Sequence, residues 1–156
     1  MSDKINAAQY EHAKHLFLMR KNQESLKDFE EITQLAKSLG EEVSPIYLLR
    51  IESAKAHSTH SKLMSDFWLN VLEANHRKAI ICINCMKANS LRVEESMSEL
   101  VKLGRYTEQE YIEHMNRFRD EFRCWDNILE GDEHGFLMAR EDLLTEVKEV
   151  GDWFGD

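Results

Sequence analysis

Ala79-Ile80-Ile81-Cys82-Ile83-Asn84-Cys85-Met86 lies at the centre of a segment, Pro45 to Leu103, that contains no glycine and no second proline. These two residues are the strongest interrupters of a helix. Their absence around an apolar run predicts one long central helix, buried on most sides from Ala79 to Met86. Ser44-Pro45 marks its start. The serine oxygen accepts a bond from a free amide of the first turn, and proline at the first helical position loses no hydrogen bond. A stripe follows in steps of three and four: Ile46, Leu49, Ser53, Ala56, His60, Leu63, Phe67. It continues as Val71, Ala74, Lys78, Ile81, Cys85, Ala88. Such a seam faces partner helices. Asn89-Ser90 and Ser58-Thr59-His60-Ser61 are where a break is expected, because their side chains compete with the backbone for hydrogen bonds.

The flanking segments carry the same period. Ile5, Ala8, Leu16, Met19, Leu26, Phe29, Ile32, Ala36 and Leu39 predict one helix, or two if the polar patch at Asn22 divides it, with a stop at Gly40. Gly104 ends the next helix, and Thr107-Glu108-Gln109-Glu110 is a capping box. Tyr111, Met115, Phe118, Phe122, Trp125 and Leu129 form the strongest stripe, closed by Gly131. Phe136, Leu143, Val147 and Val150 predict a last helix. The expected fold is all-α: a helical bundle of four to six helices organised on the Pro45 helix. Residues 1–150 form one domain, and residues 151–156 form a short acidic-aromatic tail.

Composition bounds the function. No apolar stretch approaches the ~20 residues that span a bilayer, and the first residues lack a basic-then-apolar signal pattern. Three cysteines, two of them in an apolar helix, do not read as a disulfide framework. A cytoplasmic setting is expected. The net charge of −9 is unevenly spread. Residues 1–93 carry 13 Lys+Arg against 11 Asp+Glu, and residues 94–156 carry 7 against 18. The acidic end repels nucleic acid and anionic membrane and suits a basic protein partner.

Few constellations carry chemistry. Glu73-x-x-His76 has the spacing that ferritin-like di-iron bundles use to turn two ligands the same way. If the first helix folds back on the second near residues 42–43, His12 faces Glu73, with His76 one turn away. That resembles half of a di-metal site, and the later helices supply only Glu110-x-x-Glu113-His114 as a second half. His57 and His60 are three apart, and His60, on the apolar stripe, reads as a hydrogen-bonded core histidine. Cys82-x-x-Cys85 sits mid-helix, where burial raises thiol pKa values and makes both cysteines inert. Arg50 followed by His57 resembles the Arg-x-His spacing of the helical HEPN ribonucleases, with Ile51 where those carry a polar residue. That resemblance implies RNA cleavage. No phosphate-binding glycine loop or nucleophile elbow is present.

The expected role is non-enzymatic: a protein–protein interaction, assembly or regulatory protein without cofactor, acting as a homo-oligomer. Trp153 and Phe154, between Asp152 and Asp156, are its partner-binding candidates. A carboxylate–histidine metal protein using His12, Glu73 and His76, and a HEPN-like ribonuclease, are the alternatives.

Overall fold

The computed structural model describes residues 4–149, and the side chains of all of these except Phe122, Cys124 and Glu149. They form an all-α helical bundle of five helices: α1 (Ala7–Ser38), α2 (Pro45–Leu72), α3 (His76–Lys102), α4 (Glu108–Glu130) and α5 (Glu133–Thr145). Two short strands, β1 (Lys4–Asn6) and β2 (Val147–Glu149), pair antiparallel with Ile5 opposite Lys148. Sequence reading placed Val147 in the last helix. Val150, Trp153 and Phe154 lie outside the described residues.

Each helix starts on a side chain suited to the purpose. Asn6 caps α1 in a reciprocal box with Gln9, Thr107 caps α4 in one with Glu110, and Asp132 caps α5. Ser44 and Pro45 open α2 as expected. Gly40 and Gly104 adopt φ +71° and +73° just past α1 and α3. This left-handed backbone lets amides beyond the helix bond back to its last carbonyls, as in Arg105 N–H to Leu100 O at 2.9 Å.

The expected long central helix is two helices. α2 stops at Leu72 and α3 starts at His76, with Ala74 at φ +57°. Asn75 N–H returns to Asn70 O at 2.8 Å, and the Asn75 side chain then caps α3 by accepting from Lys78 N–H at 3.1 Å. From α5, Arg140 Nε and Nη2 donate to the Val71 and Leu72 carbonyls at 2.7 and 2.8 Å. A cation placed at a helix C-terminus satisfies orphan acceptors and complements the dipole. The break therefore needs no glycine.

Of the two alternatives for the first segment the single helix holds, and the breaks expected at the Ser58 and Asn89 patches do not occur. Asn22 lies within α1, Ser58-Ser61 within α2, and Asn89-Ser90 within α3. Asn89 is buried and donates to Ala56 O of α2 at 2.9 Å, so the polar residue ties two helices together.

The turn at 73–75 resets the helical phase. On α2 the stripe holds, with Ala56, His60, Phe67 and Val71 buried. On α3 it shifts to Ala79, Ile83, Met86, Val93, Met97 and Leu100, while Ile81 is 52% exposed and Cys85 is exposed. The Ala79–Met86 run is thus buried on one face, and only Cys82 of the pair is buried, its thiol pKa pushed up by burial. The α4 stripe holds at Met115, Phe118, Trp125 and Leu129.

Two apolar clusters result. One gathers Phe67, Trp68, Trp125 and Phe136, with edge-on ring centroids 5.2 Å apart between Phe67 and Trp125 and 5.6 Å between the two tryptophans. The other joins Ala56, Val93, Met97, Leu100, Met115 and Phe118. Between this second cluster and the far half of α1 the bundle is open.

Candidate functional site

That opening is a cleft of about 540 Å³, floored by α2 and walled by α1 on one side and α4 on the other. From α1 come Asn22, Ser25 and Phe29; from α2, Arg50, Ser53, Ala54 and His57. Met97 and Leu100 of α3, Tyr106, and Glu110, Glu113, His114 and Arg117 of α4 complete it. The polar α2 residues are three or four apart, so one helix face presents all of them. α4 reaches the cleft because its aromatic stripe seats it on α2 and α3, leaving His114 beside the buried Phe118.

At its base His57 Nε2 and His114 Nε2 are 2.8 Å apart. Hydrogen-bond accounting assigns the protons. His57 Nδ1 is 2.7 Å from the Ser53 carbonyl, which only accepts, so Nδ1 carries a hydrogen. Neutral His57 then accepts at Nε2, and His114 Nε2–H donates. His114 Nδ1 is left as an open acceptor. Burial, then neighbouring His57 and Arg117, pushes the His114 pKa down to about 4. Burial likewise lowers His57, against the pull of the Ser53 carbonyl. Both imidazoles are neutral at pH 7.

Two cations face this pair. Arg50 is half-buried and stands 5.9 Å over the Phe29 ring. Arg117 is exposed on the rim. Among the described residues, neither forms an ion pair with Asp or Glu, whereas Arg92 reaches Glu52 and Arg119 reaches Glu94. The rim carboxylates are engaged nearby: Glu110 accepts from Thr107 N–H at 3.2 Å, and Glu113 from Gln109 Nε2 at 3.0 Å.

Deeper along α2 and α1 lies a second polar group. His60, 4% exposed, has Nε2 2.6 Å from Glu121 Oε2 and packs on Phe118 at 3.8 Å. This is the hydrogen-bonded core histidine expected from its place on the stripe. His15 is 3.4 Å from Glu11. Burial raises the pKa of each carboxyl, but the hydrogen bonds from His60 and His15, with nearby cationic charge, outweigh it and leave both lowered. The Nδ1 atoms of His60 and His15 are buried without a hydrogen-bond partner.

The expected half-site of His12, Glu73 and His76 is arranged otherwise. α1 and α2 pair in a different register, and His12 Nδ1 meets Ser65 O at 2.8 Å and Ser65 Oγ at 3.1 Å. Glu73 and His76 line a shallow depression at the α2–α3 turn, with the His76 ring 5.1 Å from Phe136. Among the described residues no three His, Cys, Asp or Glu side chains gather as metal ligands. The His57–His114 contact is itself a hydrogen bond, shorter than the ~3.3 Å that two tetrahedral ligands at ~2.0 Å from one ion would keep.

Arg50 and His57 do share one cleft. The sequence did not reveal that His114 and Arg117 join them. Their spacing offered a signal: with Tyr111 and Phe118 they lie on one side of α4, three or four apart.

Comparison with protein-family models, with curated proteins and with solved structures returned no match to this chain. No helix among the described residues is long and apolar enough to cross a membrane.

Proposed function

We propose that the protein is a non-enzymatic assembly protein of the cytoplasm that pairs with a second copy of itself through the tip of the α1–α2 hairpin. One observation carries this reading. Ile32 and Leu35 of α1 and its C-cap residue Leu39 repeat at i, i+3 and i+7 and are 42%, 60% and 66% exposed. A stripe of that spacing is normally a buried face. Tyr47 and Leu48, at the start of α2, are exposed beside it, and Tyr47 shares a shallow depression with Ile32, Phe29 and Ile46.

A second copy suits this surface best. A two-fold axis sets one apolar stripe against its twin, and such isologous pairs are the commonest oligomers. Around this stripe Lys27 and Lys37 stand with Asp28, Glu30, Glu31, Glu41 and Glu42, a net of −3, so pairing there rests on the apolar stripe and is favoured by salt that screens the carboxylates. The larger acidic load beyond Val93 stays available to a basic protein partner, with Trp153 and Phe154 as its anchors.

Light scattering at micromolar concentration tests the pairing. Twice the monomer mass of 18.4 kDa is expected, returning to 18.4 kDa in the double variant Leu35→Lys, Leu39→Lys with its helicity intact. A wild-type monomer at every concentration overturns the reading.

A further inference from the structure

We infer that the cleft between α1 and α4 is a binding site for a phosphate monoester of nucleotide size. Its phosphoryl group lies against Arg50 and Arg117, and its organic part against Phe29, Leu100, Tyr106 and the accepting Nδ1 of His114.

The inference does not require the dimer, although Phe29 and Arg50 border both surfaces, and it stands on four observations. The first is size: about 540 Å³ falls within the ~300–1,000 Å³ of small-molecule sites. The second is unspent charge. Arg50, half-buried over the Phe29 ring, and Arg117, exposed at the rim, have no carboxylate partner among the described residues and share the cleft. Arginine's planar fork suits a phosphoryl group, and two forks together suit a dianion.

The third observation is the histidine pair. His57 is fixed through Ser53, and it fixes His114 in turn, so the open His114 Nδ1 is held ready to accept from a hydroxyl or amino group of the ligand's organic part. A pair already ordered loses little entropy when a ligand arrives. The fourth is the mixed lining. Phe29 and Tyr106 contribute aromatic rings to the lining, and Met97 and Leu100 contribute apolar side chains. A bare inorganic anion has no use for that half of the cleft.

The rim separates a small ester from a polymer. Glu110 and Glu113 stand at the mouth. A nucleic-acid backbone running out of the cleft would meet these carboxylates, whereas a monoester ends inside them. The acidic charge beyond Val93 disfavours a polyanion further.

Calorimetric titration of the full chain with AMP, inorganic phosphate and adenosine tests the site. AMP should saturate one site per chain. Phosphate and adenosine should each bind at least about tenfold more weakly, since each lacks one half of the recognition. Arg50→Gln and Arg117→Gln should each weaken AMP about tenfold or more while melting as the wild type does, and Arg50→Lys should restore part of the loss. No saturation by AMP below ~10 mM overturns the inference. So does AMP binding that both glutamine variants leave unchanged, or phosphate binding as tightly as AMP.

Discussion

Ala74 holds a backbone angle of φ +57°, a conformation that costs an L-residue on the order of 1 kcal/mol and glycine almost nothing. Arg140, the Asn75 cap and the packing of α5 hold it there. Ala74→Gly should therefore stabilise the fold by ~0.5–1 kcal/mol, net of the lost methyl contact and the freer unfolded chain, and raise Tm by a few degrees. Calorimetric melting decides it, and an unchanged or lower Tm would show that the turn carries no strain. This residue also explains the main error of sequence reading. Helix breaks are usually announced by glycine or proline, and here the determinants are an alanine and an arginine 66 positions away. His114 belongs to the same scale. Its pKa of about 4, and the lowered value of His57, mean that the folded chain binds these protons less readily than the unfolded chain does. Their contribution to stability is fully present above about pH 6.5 and is lost as the pH falls from there towards 4. The lowered carboxyls, Glu11 and Glu121, act in a lower window, below about 4.5. Urea midpoints should fall between about pH 7.5 and 5, and His114→Gln should flatten that slope. A slope equal to the wild type's would remove His114 from the account.

At the scale of elements, what the sequence made legible was whatever depends on near neighbours. Caps at Ser44, Thr107 and the glycine ends, and the α4 stripe, are set by residues within one or two turns, and they stand where expected. The α3 face was misread because its phase was carried through a turn whose cause is tertiary. Ile81 and Ile83 make the difference measurable. Ile83 is 2% exposed and Ile81 is 52% exposed. Ile83→Asp buries an unpaired charge and should cost several kcal/mol (order ~3–5), enough to unfold most of the protein. Ile81→Asp should cost about 1 kcal/mol or less. Paired circular dichroism melts check the contrast, and equal melting temperatures would return α3 to the phase read from the sequence. The cleft was half legible for a related reason. Arg50, Ser53 and His57 share one helix and declare their common face by spacing. His114 and Arg117 declare by spacing that they share a side of α4, but the crossing that brings that side to α2 is tertiary and no local pattern encodes it.

At the scale of the whole molecule, the acidic excess beyond Val93 and the apolar tip of the hairpin divide the surface into parts of opposite character. The all-α class was readable because helical periodicity needs no partner to be visible. The pairing of β1 with β2 was not, since two three-residue segments 140 residues apart carry no period of their own. That pairing has a consequence for how the chain is wired. Lys4 and Glu149 sit side by side, and Ala7 N–H bonds Glu146 O at 2.9 Å, so the described path closes on itself like a ring with a clasp. In a ring, the place where translation starts is an accident of the gene. A short bridge between residues 4 and 149, with a cut at the exposed Gly104–Arg105 turn, keeps every helix and every neighbour. Opening the clasp, by contrast, unties α5 from α1, which stays packed on α2, and loosens the arginine that holds the α2–α3 corner shut.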